Sequence, residues 1–424
     1  MARRFAVGGY RVTLVARSTD GLRNLAGTLA DTGASISTIV ADASDPDGLG
    51  DRMRELYLGT GAPGVVVYNA VMGAVAQAAA TDDLPLEAQP RMTESTVTDT
   101  TSPARALFHA APRCVDIREV PAPRPAAGEV LVRTLCSGIS GGTERLVYRG
   151  EVPADLALDD TIDALGGTFS YPFAYGYACV GEVAASGRAV FAFHPHQDVF
   201  AARADDLIPL PAIDPAAATL FPLVETALQV TLDAGTGYRD RVIVLGAGVL
   251  GLLTSLLLQR SGWRPVLAEP QPWRRALADS LGATAAAPEE LAEEQVPLVI
   301  DASGNPDAPP MALNMLAHEG TLLIASWFGT KPVVLPLGGA FHRRRLIIRS
   351  TQVSTVPARL SGTWTRSRRI RETVELLAEL PLSQLCTHRF AFGQAAEAFQ
   401  AVDEGIPGLM HAVLDYDRSA AGDM

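Results

Sequence analysis

Lysine is almost missing from these 424 residues: Lys331 is the only one, and every other fixed positive side chain is an arginine. Cysteine is scarce as well. The four present are Cys114, Cys136, Cys179 and Cys386, and no two of them form a CxxC pair. That excludes a disulfide framework and a four-cysteine structural zinc lobe. The sequence lacks any run of about 18 uncharged apolar residues, so it offers no membrane span. The start "MARRFAVGGYRVTLVARS" has two early arginines, but Arg11 and Arg17 interrupt its apolar stretch. A secretory signal needs a cleaner apolar core, and a cytoplasmic protein is expected. Positive charge is in deficit: a net charge of −12 argues against a nucleic-acid partner. The basic clusters "HRRRLIIR" (342–349) and "TRSRRIR" (365–371) are local and read as solvated rims or interface edges.

What is present is apolar mass. Hydrophobic residues make up 48% and charged residues 19%, which supports large cores and excludes wholesale disorder. The length suits two or three domains. Residues 1–80 alternate helix-like and strand-like stretches, with strands at "YRVTLVARS" (10–18), "SISTIVADASD" (35–45) and "PGVVVYNA" (63–70), an α/β parallel pattern. Residues 81–104, rich in Thr, Ser, Asp and Pro, read as a linker. From 105 to 220, short β-rich runs with Pro and Gly punctuation suggest a compact β domain, completed by residues 355–424 through the strand "HAVLDYD" (411–417). Between them, residues 221–354 return to α/β alternation. Strand 241–247 leads to helix 249–260, strand 264–269 to helix 272–283, strand 297–303 to a helix near 308–318, and strand 320–326 follows. These read as right-handed crossovers onto one parallel sheet.

"VIVLGAGVLGLL" (242–253) carries the first chemistry. Gly246, Gly248 and Gly251 fit G-x-G-x-x-G directly after a strand and at the opening of a helix. The first glycine permits the tight turn, the second admits a pyrophosphate to the backbone, and the third lets helix and strand pack closely. Val249 and Leu250 open the helix whose amino terminus faces the anion. Glu269 ends the next strand, where a carboxylate accepts hydrogen bonds from both ribose hydroxyls and repels a 2′-phosphate. NAD is therefore favoured; Arg274 and Arg275 lie close enough to leave NADP open. Ser303, in "VIDASG" (299–304), ends a further strand of the same unit.

The order of these parts resembles the medium-chain dehydrogenase/reductase superfamily, the zinc-type alcohol dehydrogenase group, over residues 105–417. The matching stretches are "PAPRPAAGEVLVRTLCSGIS" (121–140), "YPFAYGYACVGEV" (171–183), "ETALQV" (225–230), "VIDASG" and "SWFGTKPVVLPLGGAFHRRRLIIRSTQV" (326–353). The last is similar to a threonine-dehydrogenase-like bacterial subgroup. The resemblance implies an α/β protein with a GroES-like β domain and an inserted Rossmann domain. It also implies NAD(P)-dependent hydride transfer between a nicotinamide and a small-molecule alcohol, carbonyl or activated double bond, and a homodimer, with "GTLLIAS" and "RLIIRSTQV" as strand edges for it.

The metal pattern departs from the family. Ser140, in "SGISGGTE" (137–144), stands where zinc members carry a ligand cysteine, and Tyr177, in "GYA", where they carry a histidine. Hydroxyl and phenol are poor zinc ligands beside thiolate and imidazole, so catalytic zinc is not expected. Cys179, Glu144, Glu225 and the "HPHQD" (194–198) pair His194 and His196 are the residues from which a substitute site would have to be built; the two imidazoles read as exposed loop histidines. Without zinc, hydrogen-bond donors must stabilise the oxyanion and supply a proton. Tyr177 is the expected donor, with Ser140 and Thr143 assisting, the latter resembling the family's relay hydroxyl. Glu225, where zinc members place a third ligand, is expected to orient the relay or grip substrate. The rival readings are a zinc enzyme with substitute ligands and a non-catalytic nucleotide-binding scaffold.

Residues 3–73 resemble a truncated short-chain dehydrogenase/reductase, an incomplete Rossmann-like segment whose opening strand and glycine loop are missing. That family's Tyr-x-x-x-Lys cannot form, because Lys331 lies elsewhere. This segment is expected to be catalytically silent.

Overall fold

The structure is a computed structural model that describes residues 12–16, 36–40 and 103–417. The chain divides into two compact units, Met1–Ser95 and Thr96–Met424. In the first, strands Val12–Ala16 and Ile36–Val40 pair in parallel, Val12 opposite Ile36 and Ala16 opposite Val40, within two of the three stretches read as strands. The remainder of the resemblance over 3–73, and all but the end of the 81–104 linker, lie outside the described residues.

The second unit holds a six-stranded, wholly parallel sheet. Its strands in spatial order are Ala285–Ala286, Arg264–Ala268, Arg241–Leu245, Val296–Asp301, Leu316–Ile324 and Ile347–Ser350. Numbered along the chain this order is 3-2-1-4-5-6, the doubly wound arrangement, whose ligand crevice opens at the carboxyl ends of strands 1 and 4. The central strands are uninterrupted apolar runs because helices cover both faces: Val242, Ile243 and Val244 are fully buried. Helix Val249–Arg260 packs an almost wholly buried surface on this sheet, which explains why its sequence "VLGLLTSLLLQR" shows no polar face until Gln259 and Arg260.

Two sequence expectations need correcting here. The helix near 308–318 is cut to Ala308–Ala312, because Leu316 is already paired with Val296 in the sheet. "GTLLIAS" forms no sheet edge: Leu316–Ile324 is flanked by Val296–Asp301 on one side and Ile347–Ser350 on the other. Of the two stretches read as edges, only the one around 347–350 lies at a rim.

The β part is built of mainly antiparallel sheets, with one parallel pair, His388–Ala391 beside Ala412–Asp415. The long strand Glu129–Ile139 is its spine, pairing with Cys179–Val183, Val199–Arg203 and Ala412–Asp415. The carboxyl-terminal strand thus returns to the β part, and the buried Tyr416 hydroxyl lies 3.0 Å from Ser137 Oγ. Among the described residues no helix is long and apolar enough to cross a membrane.

Candidate active site

The glycine turn has the stereochemistry its sequence requires. Gly246 has φ +93, and a Cβ on Gly251 would lie 2.0 Å from the Gly246 carbonyl oxygen, so neither position accepts a side chain without backbone movement. Gly248 differs. A Cβ there would meet nothing within 4 Å, so the space in front of it is open at the amino end of a 12-residue helix, the place where a pyrophosphate docks. Glu269 is buried; one of its oxygens accepts the Ala247 N–H at 2.9 Å and the other the Gln271 N–H at 2.9 Å. Each oxygen keeps a lone pair for a ribose hydroxyl. Arg275 is committed, with Nη1 donating to the Glu269 and Pro270 carbonyls. Arg274 lies over the Trp273 ring, and its buried Nε has no partner. Across the crevice Ser303 donates to Asp301 Oδ1 at 2.6 Å. Asp301 Oδ2 is buried without a partner, and burial raises that carboxyl above its usual range. These residues fit a dinucleotide.

The β part supplies the second group. Ser140 directly follows the spine strand, Thr143 opens the helix Thr143–Arg149, and Tyr177 sits on the approach to strand Cys179–Val183. The structure brings the three together. Burial and the Glu144 carboxylate push the Tyr177 phenol up to about 12, against the Ser140 and Thr143 hydroxyls, whose hydrogen bonds favour its ionised form. At neutral pH the phenol is a proton donor. An aromatic wall leads away from it: Tyr175 is 6.1 Å from Tyr177 between ring centres, Phe169 is 5.3 Å from Tyr175, and Trp327 is 6.3 Å from Phe169. Trp327 follows the parallel sheet, so this wall spans both parts of the fold. Beside it Thr330 N–H donates to the Glu151 carbonyl at 2.9 Å, and Lys331 Nζ reaches Gly304 O at 3.4 Å and Glu151 Oε2 at 3.7 Å.

Glu225 joins none of these groups. It is buried against Arg369, whose Nε lies 3.0 Å from Glu225 Oε1 and whose Nη1 donates to Gln229 Oε1 at 2.5 Å. Burial raises the Glu225 carboxyl against the pull of that guanidinium. Arg369 corrects the reading of "TRSRRIR" as a solvated rim, since it is 1% exposed; the cluster's residue facing Glu225 is turned inward to neutralise it. Replacing one member of such a pair strands the other charge. We expect Arg369→Met to cost about 3–5 kcal/mol in urea unfolding, and the double replacement Glu225→Leu with Arg369→Met to cost far less.

The histidines are a second correction. His194 and His196 are not exposed loop residues. His194 stacks on Phe200 at 3.8 Å between ring centres and is pushed down to about 4 by burial. His196 is fully buried between Glu144 and Ser137. Cys179 donates to the carbonyls of His194 and Pro195, and burial raises its thiol. The substitute ligand set is thus dispersed into separate interactions: among the described residues no three His, Cys, Asp or Glu side chains gather as a metal group. Ser140, a phenol held protonated and a carboxylate spent on Arg369 do not suit zinc. Sequence reading missed Arg369, Ser137, Tyr416 and Asp301. The strand-end position of Asp301 was visible; the others depend on contacts between residues far apart in the chain.

A parallel doubly wound sheet with an open glycine turn, joined to a second part built mainly of antiparallel strands, is the architecture of a nicotinamide-nucleotide dehydrogenase. No family model matches the chain. It is similar to 2-desacetyl-2-hydroxyethyl bacteriochlorophyllide A dehydrogenase of Cereibacter sphaeroides, 26% identical over 344 residues, covering 74% of this chain and 99% of that one. It is also similar to 5-exo-hydroxycamphor dehydrogenase of Pseudomonas putida, 26% identical over 371 residues, covering 74% and 98%. Among solved structures, an alcohol dehydrogenase of Escherichia coli CFT073 complexed with NADH shares the fold with a TM-score of 0.60, at 19% identity, covering 74% of this chain and 99% of that one. The chain is thus similar over most of its length to dehydrogenases of the zinc-type alcohol dehydrogenase-like kind.

Proposed function

We propose that the chain transfers hydride between NAD(H) and the alcohol or carbonyl of a small molecule, with the Tyr177 phenol acting on the substrate oxygen in place of zinc. The observation that carries this reading is the phenol itself, held protonated beside Ser140 and Thr143 at a position that the family gives to a metal ligand. Bound nicotinamide supplies or accepts the hydride. In the reducing direction, negative charge develops on the carbonyl oxygen, Tyr177 donates its proton there, and the Ser140 and Thr143 hydroxyls hold the phenol oxygen in line. The aromatic wall from Tyr175 to Trp327 excludes water from the reacting carbon. Residues 221–354 act as the nucleotide domain and residues 105–220 with 355–417 as the catalytic one. The half-exposed edge around Ile347 is where a second copy would extend the parallel sheet.

The test is a screen for NADH oxidation against ketones, aldehydes, quinones and enones. Turnover of at least one class, insensitive to chelators, is expected; tight NADH binding with no transfer across the panel would leave only a nucleotide-binding scaffold. Near-stoichiometric zinc lost together with activity would also sink it. Glu269 supports NAD over NADP by like-charge repulsion of a 2′-phosphate. Accordingly Glu269→Gln should weaken NADH binding about tenfold, the size of one charge-assisted hydrogen bond. It should also narrow the gap to NADPH, as read by quenching of the cofactor's fluorescence.

A further inference from the structure

We propose that the amino-terminal end of the parallel sheet carries a second small-molecule site, for a carboxylate borne on a compact apolar body. It lies at the opposite end of the sheet from the glycine turn, so it does not depend on the reaction proposed for the crevice. A cavity of about 300 Å³ is lined there by Arg241 and Arg264, which open strands Arg241–Leu245 and Arg264–Ala268. Trp263, from the turn after helix Val249–Arg260, lines it too, with Pro265 and Val266. That volume is at the lower end of the range for ligand sites. The three apolar side chains are themselves nearly buried, and Trp263 is fixed in place. Its Nε1 donates to the Gly235 carbonyl at 2.9 Å, and a Cβ on Gly237 would stand 2.1 Å from its Cδ2.

Charge decides what this cavity takes. Arg241 and Arg264 are register partners on neighbouring parallel strands, and such strands lie about 4.8 Å apart. Guanidiniums held side by side repel one another. Glu294 Oε1 lies 3.1 Å from Arg241 Nη2, but Arg264 has no carboxylate partner among the described residues. Its Nε donates to the Arg239 carbonyl, and both of its Nη groups are left without a hydrogen bond among those residues. The turn that supplies this carbonyl is strained. Tyr238 and Arg239 are consecutive non-glycine residues at φ +43 and +71, a conformation that costs energy in L-residues. The helix end does not compete for the guanidiniums, because the Leu257, Leu258 and Gln259 carbonyls already accept from the Ser261, Gly262 and Trp263 N–H groups. Arg260 is taken by Glu379, and Asp240, in the turn itself, is exposed. A planar fork with free Nη groups suits a carboxylate. A bare phosphate ion would leave the apolar lining wet, and a neutral ring would leave the charge unmet.

The test uses the full chain with 15N-labelled tryptophan. It has four tryptophans, and the Trp263 indole signal is assigned by its loss in Trp263→Phe. Sodium benzoate, added at constant ionic strength, should move that signal saturably with a Kd of about 1–10 mM, as one bidentate pair and one small ring supply. Benzamide, the same ring without the charge, should leave it unmoved. Arg264→Gln should weaken benzoate about tenfold or more, the size of a hydrogen bond to a charged group. Glu294→Gln releases Arg241 and should tighten benzoate about threefold, a change of sign that damage to the fold does not give. Saturation with NADH beforehand should leave the benzoate shift intact. No saturable movement of Trp263 up to about 50 mM benzoate overturns the proposal. So do an equal shift by benzamide, native affinity in Arg264→Gln, displacement by NADH, and inorganic phosphate moving the signal where benzoate does not. Should Arg264→Gln not fold, Glu294→Gln decides alone, and unchanged or weaker binding there overturns it equally.

Discussion

Replacing Tyr177 by Phe is expected to lower turnover by about 10²–10⁴-fold, the range assigned to a positioned proton donor, while NADH binding stays within about twofold. The replacement removes one hydroxyl and keeps the ring that packs edge-on against Tyr175, so the aromatic wall survives. Steady-state kinetics on whichever carbonyl the screen finds, with cofactor titration by fluorescence, separates the two quantities. Since burial and Glu144 hold the phenol near 12, the native enzyme should show no alkaline loss of ketone reduction attributable to this group below about pH 11. The sign follows from the acid form being the active one in reduction: activity falls only as pH rises through the phenol's own value. Turnover unchanged in the Phe variant removes Tyr177 from the chemistry.

The second large effect is expected at Gly248. A Cβ there meets no protein atom within 4 Å, and its backbone, at φ −71 and ψ 179, is open to any L-residue. Gly248→Val should therefore leave the melting temperature of the nucleotide-free protein within a few degrees. The added methyls fill the space a pyrophosphate needs, so NADH affinity should fall on the order of 10²-fold, about 3 kcal/mol. Gly251→Ala makes the contrast, because its Cβ collides with the Gly246 carbonyl at 2.0 Å and stability itself must drop. Unaltered NADH affinity in Gly248→Val would place the nucleotide elsewhere.

The sequence made some of this legible for local reasons. Helix Val249–Arg260 and strand Arg241–Leu245 were readable because an apolar run, a glycine turn and a second apolar run leave few alternatives. Tyr177, Ser140 and Thr143 were readable as a group only through the family pattern, since the turn that gathers them has no signature of its own. What could not be read are the pairs closed by tertiary folding. Glu225 and Arg369 are 144 positions apart, Glu144 and His196 are 52 apart, and Ser137 and Tyr416 are 279 apart. Spacing says nothing about such partners. Hence two histidines and an arginine with the composition of a wet surface turned out to be interior.

The lone lysine has a consequence of its own. Its ammonium tethers the loop after the fifth parallel strand to both Gly304 and Glu151, so it forms a clasp between the two lips of the crevice beside the Thr330 N–H bond to the Glu151 carbonyl. As it is also the only side-chain amine in the chain, one acylation at that site would unfasten the clasp and tag it together, making the mouth of the enzyme addressable at one atom.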